Sequence, residues 1–444
     1  MKKLWIWIGA AAVAVAAVVW IVAGGRGASA QSDVYFLNFK PEVAEVYERV
    51  AKAYESETGK RVRVSTAASG TYETTLSSEI AKDEAPTIFQ VNGPVGLSAW
   101  KNYCADLSGS RLYEMLSDPT LALRADGQAL AIPYAVEGYG IICNQTILKR
   151  YFALPSQASG ISSTEEIDSF EKLKAVVTDM SARKAELGIE GVFASTSLSP
   201  GNQWRWQTHL LDVPLWYEFR ASGEDATLAG LDAKTIAFSY GDGFRALFDL
   251  YLNHSVTDPA LLSTKTVDDS MAEFALGKCA MVQNGNWGAS QIMEVAGNTV
   301  DEMRFLPLFI GAEGEGAQGL CIGTENYLCV NRRADADKQQ AAIDFLAWLF
   351  SSETGKRFVL DELGFIAPFS TFGENERPAD PLSVEVMDWM SREGVTSVPW
   401  IFAAFPSEAY KDDVGDALMQ YAQGAASWTD VTRVITERWA AERE

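Results

Sequence analysis

The chain has 444 residues, 48% of them hydrophobic and 22% charged, and a formal net charge of −22. That length exceeds one ordinary core and implies two lobes or domains. The acidic balance, with no basic stripe interleaved with aromatics, argues against nucleic acid and anionic lipid as partners.

The N-terminus carries Lys2 and Lys3 and then an uncharged run over 4–25, "LWIWIGAAAVAVAAVVWIVAGG". A cleaved signal core is roughly 7–15 residues and a membrane span about 20. The run is span-like, yet Ala28-Ser29-Ala30 before Gln31 reads as a cleavage site. Residues 1–30 are therefore expected to be a signal peptide or an anchor. Either way the positive end stays in the cytoplasm and the body is exported.

From Asp33 strands and helices alternate. "VYFLNF" is a strand. "PEVAEVYERVAKAYESETG" is a helix with Val43, Val46, Tyr47, Val50 and Tyr54 on one face and Gly59 as its stop. "RVRVST" is a strand, "TYETTLSSEIAKDEAP" a helix with Leu76 and Ile80 inward, and "TIFQV" a short buried strand. The order predicts a mostly parallel sheet covered by helices, with ligand at the carboxyl ends of its strands. That rim carries Asn38, Lys40, Tyr72 and Asn92.

"AIPYAVEGYGIICNQ" then reads as strand, turn, strand, with one charge, Glu137, in apolar company. A carboxylate there is costly unless something pairs with it. "SLSPGNQWRWQTHLL" offers Trp204 and Trp206, of which one can face a cleft if the segment is extended; Trp204 is the candidate. "FALGKCAMVQNGNWGASQI" is helix end, strand, and a polar loop with Trp287. "EMRFLPLFIGAEGEGAQGLCIGTENYLCV" is strand, glycine-rich loop, strand, and "AAIDFLAWLFSSETGKRFVLDELGFIAP" a helix pair leading to an extended segment. Trp400 stands in "VPWIFAAF". In the tail, Ser427 and Asp430 form a capping box, and Val431, Val434, Ile435 and Trp439 make one face.

The five cysteines form no CxxC pair. They read as small buried hydrophobes, although Cys321 and Cys329 could pair across a hairpin. Two histidines, with no HExxH, no GxSxG elbow and no GxxxxGK[ST] loop, argue against an enzyme, a metal site or a cofactor.

Five stretches in order, "YESETGKRVRV", "APTIFQVNG", "IPYAVEGYGIICN", "GKCAMVQNGNW" and "AAIDFLAWLFSSETGKRFV", resemble the extracellular solute-binding proteins of ABC importers, in the sugar-binding group that includes maltodextrin-binding protein. The likeness runs from Asp33 nearly to the C-terminus. It departs at Pro86-Thr87-Ile88, where the family has Pro-Asp-Ile, and at Asn38-Phe39-Lys40, where maltodextrin binders have Asp-Lys. At Gly25 no lipobox cysteine is found.

The resemblance implies an α/β, two-lobe periplasmic-binding-protein fold (type II), a small-molecule ligand in the interlobe cleft, hinge closure, no catalysis and no cofactor, and an ABC permease as partner of a monomer. It implies crossings near 135–139, 316–323 and 364–368. Lobe 1 would be 33–136 plus 318–365, and lobe 2 would be 137–317 plus 366–444. It places Trp287 as a stacking residue for a sugar ring, Glu137 as an acceptor of sugar hydroxyls, and Asn38, Lys40, Tyr72, Asn92, Trp204 and Trp400 around them. A hinge role for Glu137, paired with a neighbouring amide, Lys or Arg, stays open. So do a non-sugar ligand (polyamine or phosphate ester) and a membrane-tethered sensory module.

Overall fold

The structure, a computed structural model, describes residues 32–443 apart from 69, 222, 224 and 325. The N-terminal apolar run and the cleavage site lie outside the described residues. Among the described residues no helix is long and apolar enough to cross a membrane.

Two sheets organise the described residues. The first has strand order β2-β1-β3-β10-β5-β4. Its strands are β1 (Val34–Asn38), β2 (Val62–Thr66), β3 (Ile88–Asn92), β4 (Leu123–Ala125), β5 (Gln128–Pro133) and β10 (Asn326–Val330). The expected parallel pairing holds for β1 with β2 and β3 only; β10 runs antiparallel between β3 and β5, and β4 antiparallel to β5, so the sheet is mixed and not mostly parallel. The second sheet has order β11-β9-β6-β7, with β8 also on β6. These strands are β6 (Glu137–Asn144), β7 (Met281–Gly285), β8 (Met303–Leu306), β9 (Gln318–Gly323) and β11 (Thr396–Val398). Each sheet has its own apolar clusters. Val34, Phe36, Tyr47, Tyr54, Phe345 and Phe369 belong to the first, and Tyr139, Ile141, Trp206, Leu210, Phe248 and Trp439 to the second. The molecule is thus a two-lobe α/β protein.

Local sequence explains the elements that flank the cleft. Helix Ala44–Thr58 buries Tyr47, Val50 and Tyr54 of the expected face, together with Ala51, while Val46 is half-buried. It stops at Gly59, whose left-handed backbone (φ 74°) lets its N–H reach Glu55 O at 2.8 Å. Helix Trp428–Arg443 starts from the expected capping box: Ser427 N–H donates to Asp430 Oδ2 at 3.0 Å and Asp430 N–H to Ser427 Oγ at 3.3 Å. It then docks through fully buried Val431, Ile435 and Trp439. Each such side chain contributes roughly 1.5–3 kcal/mol on burial. All five cysteines are free and buried, so Cys321 and Cys329 are not bonded.

Among the described residues, three segments join the lobes. β5 passes into β6 through 134–136. β9 stays with the second sheet, paired to β6 and β11, and the chain returns to the first between Gly323 and Asn326. The third runs from Leu363, in the first lobe's core, through Gly364 and Ile366. The segments are tied side by side: Val136 N–H donates to Ile366 O at 2.7 Å, and Thr324 Oγ1 to Ala135 O at 2.9 Å.

Candidate functional site

The cleft floor begins where β1 ends. Asn38 turns the chain: its Nδ2 donates to Lys40 O at 2.7 Å and to Thr66 Oγ1 at 3.1 Å, while its Oδ1 accepts from Lys40 N–H at 3.1 Å. Asn38 therefore aims Lys40, and its amide is occupied in doing so. The Lys40 ammonium crosses the cleft to Glu137 at the start of β6, with Nζ 2.7 Å from Oε1 and both side chains 6% exposed. Glu42, in the turn after Lys40, lies 3.5 Å from the same ammonium. Burial pushes the Glu42 carboxyl up, and Lys40 opposes the shift. One buried ammonium thus serves two carboxylates, and the closer pair joins the lobes.

Trp287 and Trp400 lie against backbone. A Cβ on Gly285 would fall 2.1 Å from Trp287, and one on Gly323 would fall 2.6 Å from Trp400. Only glycine at the ends of β7 and β9 lets these indoles fold flat onto the strands. Those glycines face β6 in register, Tyr139 opposite Gly285 and Glu137 opposite Gly323. The Tyr139 ring therefore sits among them, 5.7 Å from Trp400 and 6.5 Å from Trp287. Trp287 stands edge-on to Trp400 at 6.2 Å, and the Lys40 ammonium is 5.7 Å from the Trp287 ring centre.

The segment 204–210 completes the cage. It is a π-helical turn, Arg205–Leu210, not an extended stretch. An i to i+5 turn brings Trp204 and His209 onto one face, which an α-helix would not. Their rings are 4.9 Å apart, with Trp204 6.0 Å from Trp287 and His209 stacked on Phe402 at 4.8 Å. Trp206 points the other way, into the lobe core, with its indole N–H on Ser197 O at 3.0 Å. Buried Arg205 anchors the turn to β7 by donating to Gln283 O at 2.9 Å, while Gln283 Nε2 donates to Arg205 O at 2.6 Å.

The remaining predicted residues divide. Asn92 is half-buried at the start of helix Gly93–Trp100 and makes no side-chain cap to it. Tyr72 is buried in the first lobe, where its hydroxyl accepts from Gln90 N–H at 2.7 Å and its ring meets Phe39 edge-on. The structure thus gathers Lys40, Glu137, Trp204, Trp287 and Trp400, and gives Asn38 and Tyr72 partners within the first sheet. Tyr139, His209, Phe402 and Asp212 join the site without having been singled out. The sequence signal for His209 and Phe402 was the aromatic density around 204–209 and 400–405; Tyr139 lies in the strand that begins at Glu137, and nothing in the sequence marked Asp212.

Polar groups here are buried and only partly satisfied. Asp212 accepts from Phe402 N–H at 2.9 Å through Oδ1, and burial pushes its carboxyl well up. The Tyr139 hydroxyl faces Asp212 and Cys321, and among the described residues Trp400 Nε1 has no hydrogen-bond partner, a costly state in a buried site. Burial pushes His209 down to about 3, so it is neutral in the folded protein at neutral pH. The unfolded chain takes up that proton near pH 6.5. Stability held above pH 6.5 is therefore lost as pH falls from there towards 3. The limiting slope for one proton is about 1.4 kcal/mol per pH unit. Urea unfolding of His209→Phe against wild type at pH 7 and 5 checks this: the variant is expected to lose less on acidification.

The lobes touch elsewhere along the rim. A Cβ on Gly70 would lie 2.9 Å from Gly201 Cα, and one on Gly93 would lie 2.9 Å from Ala403 Cβ. Both Gly70 and Gly93 have positive φ. Gly93→Ala is expected to hold the cleft ajar, seen as a larger radius of gyration in X-ray scattering; an unchanged radius would mean that this contact yields freely.

Among solved structures the chain is similar to a chitin oligosaccharide binding protein, at 15% identity, TM-score 0.71, covering 92% of this chain and 98% of that one. It is also similar to a solute-binding protein, RafE, in complex with raffinose, at 13% identity, TM-score 0.68, covering 93% and 99%. A third is maltose-bound MalE3 of T. maritima, at 14% identity, TM-score 0.66, covering 91% and 98%. At these identities the likeness carries the fold. No curated protein matches the sequence. The family model of the bacterial extracellular solute-binding proteins matches residues 49–380, three quarters of the chain. With that match over a two-lobe α/β fold, the chain belongs to the bacterial extracellular solute-binding protein family.

Proposed function

We propose that the protein is the exported substrate-binding component of an ABC importer, that it captures a mono- or oligosaccharide between its lobes, and that it delivers the sugar, enclosed, to the permease. The observation that carries this reading is the cage of Trp204, Trp287, Trp400, Tyr139 and Phe402 set beside the Lys40–Glu137 pair. A pyranose ring has apolar C–H faces and a rim of hydroxyls. Indole faces suit the first, and a buried ammonium with a carboxylate suits the second through charge-assisted hydrogen bonds. In this reading Trp287 stacks on the ring, and Glu137 and Lys40 exchange their mutual bond for bonds to hydroxyls. Tyr139 and Trp400 offer further polar atoms, and Asn92 contributes from the rim. The task is binding rather than catalysis, and residues 1–30 serve export or tethering. The moving units are 33–136 with the segment from 326 to about 365, against 137–323 with the remainder.

A polyamine is the second reading, favoured by two carboxylates sharing one ammonium beside an indole face. Titrating the protein with maltose, raffinose and chitin oligosaccharides while following tryptophan emission tests the first reading. A saturable change with one of them is expected. A change only with spermidine would replace sugar by amine.

A further inference from the structure

Asn286, next to Trp287, is 4% exposed and uses both ends of its side chain. Its Oδ1 accepts from Gly138 N–H at 3.0 Å, and its own N–H donates to Gly138 O at 3.0 Å. These bonds clamp the loop of Trp287 to the residue after Glu137. The Asn286 Nδ2 donates to Ser383 Oγ at 2.8 Å, and the Ser383 hydroxyl donates to Gly364 O at 2.8 Å. Ser383 is fully buried at the first turn of helix Pro381–Met390, which packs on β6, β8 and β9 of the second lobe. Gly364 belongs to the third crossing. It has φ +68°, and a Cβ there would lie 2.9 Å from Asp380 Oδ2. Two residues on, Ile366 O is bonded to Val136 of the first crossing.

We infer that Asn286 and Ser383 are positioning residues that couple the cleft floor, at Trp287 and Glu137, to the third crossing at Gly364, so that lobe closure and assembly of the ligand contacts are one transition. Asn286 and Ser383 are buried, Gly364 is half-buried, and each bond is between 2.8 and 3.0 Å. If the crossing turns about Gly364, its carbonyl leaves Ser383, which frees Asn286 and with it the loop that carries Trp287. The inference rests on the two-lobe cleft being the ligand site, but not on which ligand enters it.

Spin labels on exposed Glu48→Cys and Lys174→Cys, one per lobe, report the interlobe distance in the ligand-free protein; the native cysteines are all buried. Ser383→Ala is expected to lower the closed-to-open ratio about fivefold, the effect of one ordinary hydrogen bond. Ser383→Thr, which keeps the hydroxyl, is expected to restore it. If Ser383→Ala does not fold, Asn286→Asp replaces it, keeping the acceptor for Gly138 and losing the donor to Ser383. Distance distributions equal to wild type, or equal losses in the Ala and Thr variants, would overturn the coupling. Because no ligand is added, neither result depends on the sugar reading.

Discussion

Lys40→Met lowers stability by about 3–5 kcal/mol, the usual cost of removing one partner from a buried ion pair. Glu137 is then left without its counter-ion at the junction of the lobes, and Glu42 loses its own as well. Because the pair spans the cleft, opening relieves part of the cost by admitting water. The loss should therefore show both as a lower urea midpoint and as a larger radius of gyration. Adding Glu137→Gln should return most of the stability, since the stranded charge is gone. Contacting residues couple by roughly 0.5–3 kcal/mol. Losses that simply add in the double variant would mean that the pair holds nothing together.

Trp287→Ala removes ligand binding by about 2–4 kcal/mol, the size of a central aromatic hot spot, and leaves the fold intact. The contrast is Trp206→Ala. That indole is 2% exposed in the second lobe's core and bonded to Ser197 O, so its loss should cost roughly 3–5 kcal/mol of stability. Calorimetric titration with the sugar that binds wild type, alongside urea unfolding of both variants, separates the two tryptophans. Equal affinity in Trp287→Ala would remove it from the stacking role.

Much of the frame was legible because it depends on neighbours in sequence. The helix expected over 41–59, which forms as a 3-10 turn and then Ala44–Thr58, its stop at Gly59 and the capping box at Ser427 follow from spacing and residue type alone. Glu137 stood out because a lone carboxylate in an apolar strand needs a partner. Which partner was not legible: Lys40 is 97 residues away and on the other sheet. Trp287 read as part of a polar loop, yet it lies back on β7, a packing that depends on Gly285 lacking a side chain. His209 was invisible for a different reason. The segment read as extended, whereas Arg205–Leu210 winds as a π-helical turn that puts His209 over Trp204. Asn38 and Tyr72 sit at the expected rim, but their polar atoms are claimed by backbone and Thr66 in the first lobe. Residue type at a strand end says that a side chain is near a cleft, not which way it is spent.

The most direct test is thermal and urea stability of residues 31–444 against maltose, raffinose, stachyose and chitin oligosaccharides, with spermidine and a sugar phosphate as controls. A ligand at 100 times its dissociation constant adds about 2.7 kcal/mol. Stabilisation of that order by one class of neutral sugar, abolished by Trp287→Ala, is the predicted result. Stabilisation by spermidine or the phosphate ester alone, with every sugar inert, would contradict a carbohydrate cleft.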